Sequence, residues 1–390
     1  MIPIILFGLC LFIVVYAYAG YTLVLIAMAG VRRLACRKVE PDASFEPSVT
    51  LFIPAYNEAG FIGKKMENIM SLQYPRDKLK VIWITDGSND DSEILLKAFP
   101  GITVMHLKER LGKVHAMNRG MQQAETPIVL FTDANTMLNL DALHRMVQYF
   151  ADSRVGCVSG EKKILGAPTE KAVGAREGLY WKYESLIKRL ESETGSTVGA
   201  VGELFAFRRE LYEPVNEDTL LDDFTISLSI AQKGYAIKYA PEAQGTETAS
   251  VSVSEEMKRK VRIAAGGMQT LFRMPSLLNP FRNRRLAFRY ISHKVLRWTL
   301  VPLCFPLLFL LNAIILLYPA PPFFYTLFFI LQVVFYLVVL TGALLHNVRL
   351  RFKPVFAPYY LMVMNYAMLV GMLRYLRGKY SVNWEKAVRA

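Results

Sequence analysis

The stretch "VTLFIPAYNE" occupies residues 49–58, and its two halves behave differently. The first six residues are apolar or β-branched and read as a short buried strand. The last four are the polar or small residues that end a strand in a turn. The same pairing recurs downstream. "KVIWIT" (80–85) runs into "DGSNDDS" (86–92), and "PIVLFT" (127–132) runs into "DANT" (133–136). "ITVMHL" (102–107) and "VGCVSG" (155–160) add two further runs. Between them lie helical patterns: "AGFIGKKMENIMSL", "DDSEILLKAF", "KVHAMNRGMQQA" and "LDALHRMVQYF". Strands alternating with helices of this length indicate an α/β fold with a mostly parallel sheet covered on both faces. Ligands of such sheets bind at the C-terminal strand ends, where all three polar clusters fall. Any one cluster would pass for turn chemistry. Three on one edge make a site.

Outward from this region the chain turns apolar. Of its 390 residues 53% are hydrophobic, and no charged residue precedes Arg32. Residues 1–31 are long enough to cross a bilayer core of ~30 Å. They lack the basic start of a cleaved signal peptide and are followed by "RRLACRK", so a membrane anchor is expected. Residues 299–345 are charge-free and broken by "YPAPP" (318–322), which reads as two spans. Residues 355–374 supply a further span or membrane-embedded helix. The expected organisation is an N-terminal membrane helix (1–31), a catalytic domain (45–256), basic amphipathic interfacial helices (257–298), and the C-terminal membrane helices.

The formal charge of +13 divides unevenly, with +18 on residues 257–390 and −5 on residues 1–256. The basic residues lie beside apolar spans. They fit anionic headgroups and ligand phosphates, not nucleic acid. The basic residues after the first span place the polar domain in the cytosol, and "HNVRLRFKP" (346–354) agrees. "RYLRGKY" (374–380) does not, since four spans would put it outside. Four scattered cysteines form neither a disulfide framework nor a zinc spacing, and there is no P-loop or serine-nucleophile elbow.

In their order, these motifs resemble family 2 glycosyltransferases of the GT-A fold over about residues 47–270. Membrane segments on both sides resemble the polysaccharide and glycolipid synthase branches. The resemblance implies a nucleotide-sugar donor, UDP-sugar foremost, cradled by "IPAYNE" with Pro54, Tyr56 and Glu58. It places Asp86 at the base or ribose, and Lys113 and Asn118 of "RLGKVHAMNRG" near the donor. "FTDANT" takes the place of an Asp-x-Asp metal motif, which puts Mg²⁺ or Mn²⁺ on Asp133 and Asn135. "LLDDF" (220–224) puts the general base on Asp223, with Asp222 beside it. "RKVRI" (259–263) stands where synthases carry Gln-x-x-Arg-Trp, leaving Arg262 as a phosphate clamp and Arg259 in the first position, as in ceramide glucosyltransferase-like enzymes. Ile263 replaces the tryptophan that supports a growing glycan in processive synthases.

The chemistry follows from these residue types. A leaving diphosphate needs a divalent cation and basic side chains, while a poorly nucleophilic hydroxyl needs a carboxylate to take its proton. No second nucleophile is evident, so one inverting displacement is expected. Asn135 supplies a neutral oxygen ligand, or else closes an Asx-turn. Asp222 and Asp223 open an amphipathic helix, where one is expected to cap and Asp223 to face the site. "FRNRRLAFRYISHKVLR" (281–297) reads as an interfacial amphipathic helix. Three functions remain open. The first is a single-transfer enzyme with a lipid-linked or glycan acceptor in the cell membrane. The second is a processive synthase needing an export partner or homo-oligomer. The third is a binding subunit that has lost catalysis, with Asn135 as its scar.

Overall fold

The computed structural model describes residues 1–35, 42–165, 171–248, 253–344 and 353–380. Part of "RRLACRK", including Cys36, and most of "HNVRLRFKP" lie outside them. The five expected strands form as β1 (Val49–Ala55), β2 (Leu79–Asp86), β3 (Thr103–Leu107), β4 (Ile128–Thr132) and β6 (Val155–Leu165). The short β5 (Met137–Leu138), β7 (Leu204–Arg208) and β8 (Ala236–Thr248) complete one sheet in the order β3-β2-β1-β4-β7-β6-β8-β5. The pairs β1–β2, β1–β4, β2–β3 and β6–β8 are parallel; β7 enters antiparallel between β4 and β6. β1 and β4 are buried along their whole length, which explains their continuous apolar sequence.

Helices cover both faces. Ile62, Met66 and Ile69 pack under one face with Trp83 and Leu130. Val114, Met117 and Met121 pack under the other with Phe52 and Phe131. Gly120 permits that second contact, since a Cβ there would lie 2.1 Å from the Phe52 ring.

Among the described residues, two helices are long and apolar enough to cross a membrane, Ile2–Ala35 and Phe323–Leu344. Arg284–Trp298 and Leu300–Leu316 meet at 52° and together make a third candidate. The break at 318–322 falls between Leu300–Leu316 and Phe323–Leu344, as "YPAPP" requires.

The basic run 281–297 departs from a simple interfacial helix, because several of its basic side chains point inward. His293 is fully buried between Glu184 (3.1 Å) and Glu191 (2.9 Å). Tyr21 of the first apolar helix donates to the same Glu191 at 2.6 Å. Arg297 reaches Glu184 at 2.7 Å and the Ala17 carbonyl at 2.9 Å. Ala17 lies in a π-turn, residues 16–20, where the widened helix frees a carbonyl for such a donor. These side chains are bolts between the helix Lys171–Thr194 and the apolar segments. Hydropathy alone does not separate a charge facing lipid phosphates from one facing a buried carboxylate.

Candidate active site

The C-terminal ends of β1, β2 and β4 gather the polar clusters. Asn57 adopts φ of 54° and exchanges hydrogen bonds with Asn89 (2.7 and 2.9 Å). The backbone N–H groups of Glu58 and Ala59 donate to Ser92 and Asp90. The two loops are thus knitted together. Asp86 accepts from the Gly112 N–H at 2.6 Å and the Leu111 N–H at 3.3 Å, so both its oxygens brace the loop entering the helix Lys113–Met121. Gly87, with φ of 66°, allows that loop to close: an added Cβ would lie 2.7 Å from the Arg110 Cα. Pro54, Tyr56, Asp86, Arg110, Gly112 and Lys113 line a small cleft here. The Arg110 guanidinium lies 3.8 Å over the Tyr56 ring, a cation–π contact on one wall.

Lys113 stands between two acids. Its Nζ is 3.0 Å from Asp133 and 3.5 Å from Asp222. Burial works against the Lys113 charge, but Asp133 and then Asp222 outweigh it and hold the ammonium above the usual lysine range. Burial raises the Asp133 carboxyl, with Lys113 opposing. Asp222 and Asp223 open the helix Asp222–Gln232. Neither caps it, contrary to the expectation: the N-cap is Leu221, with no side-chain cap hydrogen bond. Instead Asp222 turns to Lys113, and Asp223 lies against Gly202, where a Cβ would be 3.2 Å from its Oδ2. Burial, and then the neighbouring Asp222, push the Asp223 carboxyl up to about 7.

The segment that delivers these acids is held from the C-terminal side. In the helix Val253–Arg273, Gln269 accepts from the Leu220 N–H (2.9 Å) and donates to the Asp218 carbonyl (2.8 Å). Arg262 makes one long contact, 3.4 Å to the Leu220 carbonyl, while its buried Nε has no hydrogen-bond partner. A guanidinium so lightly engaged beside the Asp222 turn is available to an anion. Arg259 pairs instead with Glu256 at 3.2 Å.

One expected donor residue is engaged elsewhere. Asn118 accepts from Tyr212 (2.6 Å) and the Val215 N–H, and donates to the Val215 carbonyl, so its amide pins the segment 212–215. Four residues that sequence reading passed over lie directly behind Asp133. Lys65 is fully buried and donates to Thr132 Oγ1 (3.2 Å) and the Thr136 carbonyl. Burial lowers its ammonium to about 7, with Asp133 and Glu247 opposing. Lys162 bonds Glu203 and Glu247 (2.8 Å), and Glu247 accepts from Thr136 at 2.7 Å. The one available signal was the charged triplet Glu161, Lys162 and Lys163 inside the strand "VSGEKKIL".

Among the described residues, no three His, Cys, Asp or Glu side chains cluster as a metal site. Asp133 and Asn135 stand two residues apart on the loop after β4, both partly exposed. They suit a hard cation that takes only one or two oxygens from protein and the rest from water and phosphate.

A mixed α/β sheet with its polar loops on one strand edge, extended by antiparallel β7, is a GT-A-like fold. Residues 50–215 match the model of the glycosyl transferase family 2. A poly-beta-1,6-N-acetyl-D-glucosamine synthase of Staphylococcus aureus (strain MSSA476) is 28% identical over 246 residues, 60% of this chain. The match spans only 58% of that relative's length. The Staphylococcus epidermidis protein of the same name is 24% identical over 292 residues, 72% of this chain and 69% of its own. The solved mannosyltransferase PcManGT from Pyrobaculum calidifontis, in complex with GDP-Man and Mn²⁺, superposes with a TM-score of 0.69. That likeness covers 96% of this chain and all of the other, at 24% identity, and establishes the fold.

Proposed function

We propose that this chain is a membrane-embedded, inverting glycosyltransferase that moves a sugar from a nucleotide-sugar to a lipid-linked or glycan acceptor at the membrane. The observation that carries the reading is Asp223, a half-buried carboxyl pushed up to about 7 at a helix start beside Asp222 and Lys113. A base with its pKa near working pH is both deprotonated and basic enough to take the proton of an attacking hydroxyl. Arg262 and Lys113 face the developing charge on the diphosphate, Arg262 as a bidentate donor. Tyr56, Pro54 and Arg110 wall the nucleotide cleft, and Asp86 shapes it. Asp133 and Asn135 would hold Mg²⁺ or Mn²⁺; PcManGT, the structural neighbour, was solved with Mn²⁺. Such an ion supplies charge stabilisation to the leaving diphosphate.

UDP-sugars are the first donors to test, with GDP-sugars beside them because PcManGT holds GDP-Man. A second reading, a processive polysaccharide synthase acting with a partner or as a homo-oligomer, is favoured by the name of the staphylococcal relatives. Ile263 in place of an aromatic platform favours single transfer. Asp133, Asp222 and Asp223 meeting at Lys113, with Arg262 beside the Asp222 turn, speak against a subunit that has lost catalysis. The experiment is transfer of radiolabelled sugar from a panel of UDP- and GDP-sugars into membranes carrying the protein, followed by sizing of the product. A single added residue supports the first reading and a polymer the second. No transfer from any donor defeats both.

A further inference from the structure

At the edge of the sheet opposite the reaction site, where β6 and β8 begin, lies a groove of about 1390 Å³. Its walls come from the end of the helix Ile2–Ala35, the end of Lys171–Thr194 and the start of Arg284–Trp298. Two cations form the floor. Lys238 donates to the carbonyls of Ser192 (2.9 Å) and Gly195 (2.8 Å). Arg289 donates to those of Thr194 (2.8 Å) and Ser196 (2.7 Å). Carbonyl dipoles orient these groups without cancelling their charge.

Arg32, Arg189 and Arg285 also line the groove, and among the described residues none of them has a carboxylate partner. Four acids line the same groove: Glu193 is paired with Arg33, Asp152 with Arg154, Asp42 accepts from Ser44, and Glu242 stands at the rim; eight lysines and arginines outnumber them. Burial, and then Arg32, lower the Lys238 ammonium to about 8, as expected inside a positive field.

We propose that this groove binds a phosphate-bearing anion, held by Arg32, Arg189 and Arg285 over the Lys238 and Arg289 floor. Guanidinium forks match phosphate oxygens in pairs, and a concave wall with an excess of cations over acids strengthens each contact. Two sources share this chemistry: a soluble polyphosphate, and a phospholipid headgroup reached from the end of the first apolar helix. Neither depends on the transferase reading, because no residue of the groove belongs to the reaction site.

The test uses the full chain in nanodiscs of uncharged lipid, titrated calorimetrically with inorganic pyrophosphate. The wild type should take up one equivalent in the groove, beside any that the reaction site takes. The triple variant R32Q/R189Q/R285Q should lose the groove equivalent, its affinity falling at least roughly tenfold, whereas R32K/R189K/R285K retains most of it. Unchanged UDP binding in both variants reports an intact fold and reaction site. Doping the discs with phosphatidylglycerol separates the sources: loss of the groove equivalent in the wild type identifies the headgroup, and its persistence identifies the soluble anion. Equal pyrophosphate uptake and affinity in the wild type and the glutamine variant overturns the proposal.

Discussion

Replacing Asp223 by asparagine keeps the shape of the side chain and removes its ability to accept a proton. If Asp223 is the general base, transfer should fall by about 10²–10⁴-fold, while nucleotide-sugar binding stays close to wild type. The same substitution should also change stability, with a sign set by the raised pKa. The carboxyl moves from 3.8 to about 7 on folding because of burial and then Asp222. A raised acid binds its proton more tightly in the folded state, so its charged form costs stability. That cost begins as pH passes the unfolded value and is complete above about 7. About three pH units correspond to at most ~4 kcal/mol, shared with Asp222. D223N should therefore be inactive yet raise the thermal midpoint at pH 8, with little effect near pH 4.

The wild-type rate should rise with pH through about 7, as the base loses its proton. D222N should move that rise to lower pH, because it removes the second cause of the shift. The assay is labelled transfer in nanodiscs across pH 5 to 9, paired with thermal melts. The reasoning fails if D223N keeps more than a few per cent of activity. It fails equally if D222N abolishes transfer while D223N does not.

Three further outcomes follow from the same geometry. Asp133→Ala should be inactive at any metal concentration, whereas Asn135→Asp should lower the Mg²⁺ or Mn²⁺ needed for half-maximal rate. An unchanged metal titration in Asn135→Asp would assign the asparagine to the turn alone. Arg262→Ala should raise KM for the donor and lower kcat together, since a diphosphate clamp acts before and during bond breaking; a change in membrane association alone would remove it from the site. Gly87→Ala should cost on the order of 1–3 kcal/mol in a denaturation series and weaken donor binding, because its φ of 66° and the Arg110 backbone leave no room for a Cβ. A neutral result there would show that the loop over Asp86 is more pliant than its packing implies.

The alternating half of the domain was legible because each of its strands is a short apolar run ending in turn residues, and local pattern suffices for that. β7 and β8 were not read out, although "LFAFR" (204–208) is as apolar as the earlier runs. β7 runs against its neighbours, so nothing in a strand-helix rhythm announces it. At the site, the sequence placed acids and bases on one edge but did not show which would meet. Lys113 and Asp222 are far apart in the chain, and only the fold brings them to 3.5 Å. Asn118 looked the same in sequence as Lys113, yet its amide is consumed by Tyr212 and Val215. Hydrogen-bond partners at long range are what a one-dimensional reading lacks.

The position of the helix Val253–Arg273 links the apolar segments to the chemistry. On one side Gln269 grips Asp218 and Leu220, two to four residues before Asp222. Gly266 lets Leu221 close on the same helix, where a Cβ would come within 2.5 Å of its side chain. On the other side Gly371 of the C-terminal apolar helix Lys353–Leu376 lies so close that a Cβ would meet Ala264 at 2.4 Å and the Val261 carbonyl at 2.6 Å. Interiors packed at this density transmit displacement, since a shift on one side has no void to absorb it. Gly371 thus seats the C-terminal helix on the helix carrying Arg262, and Gln269 ties that helix to the segment just before Asp222 and Asp223. The position of these two carboxylates is therefore set by the same contacts that seat the C-terminal apolar helix.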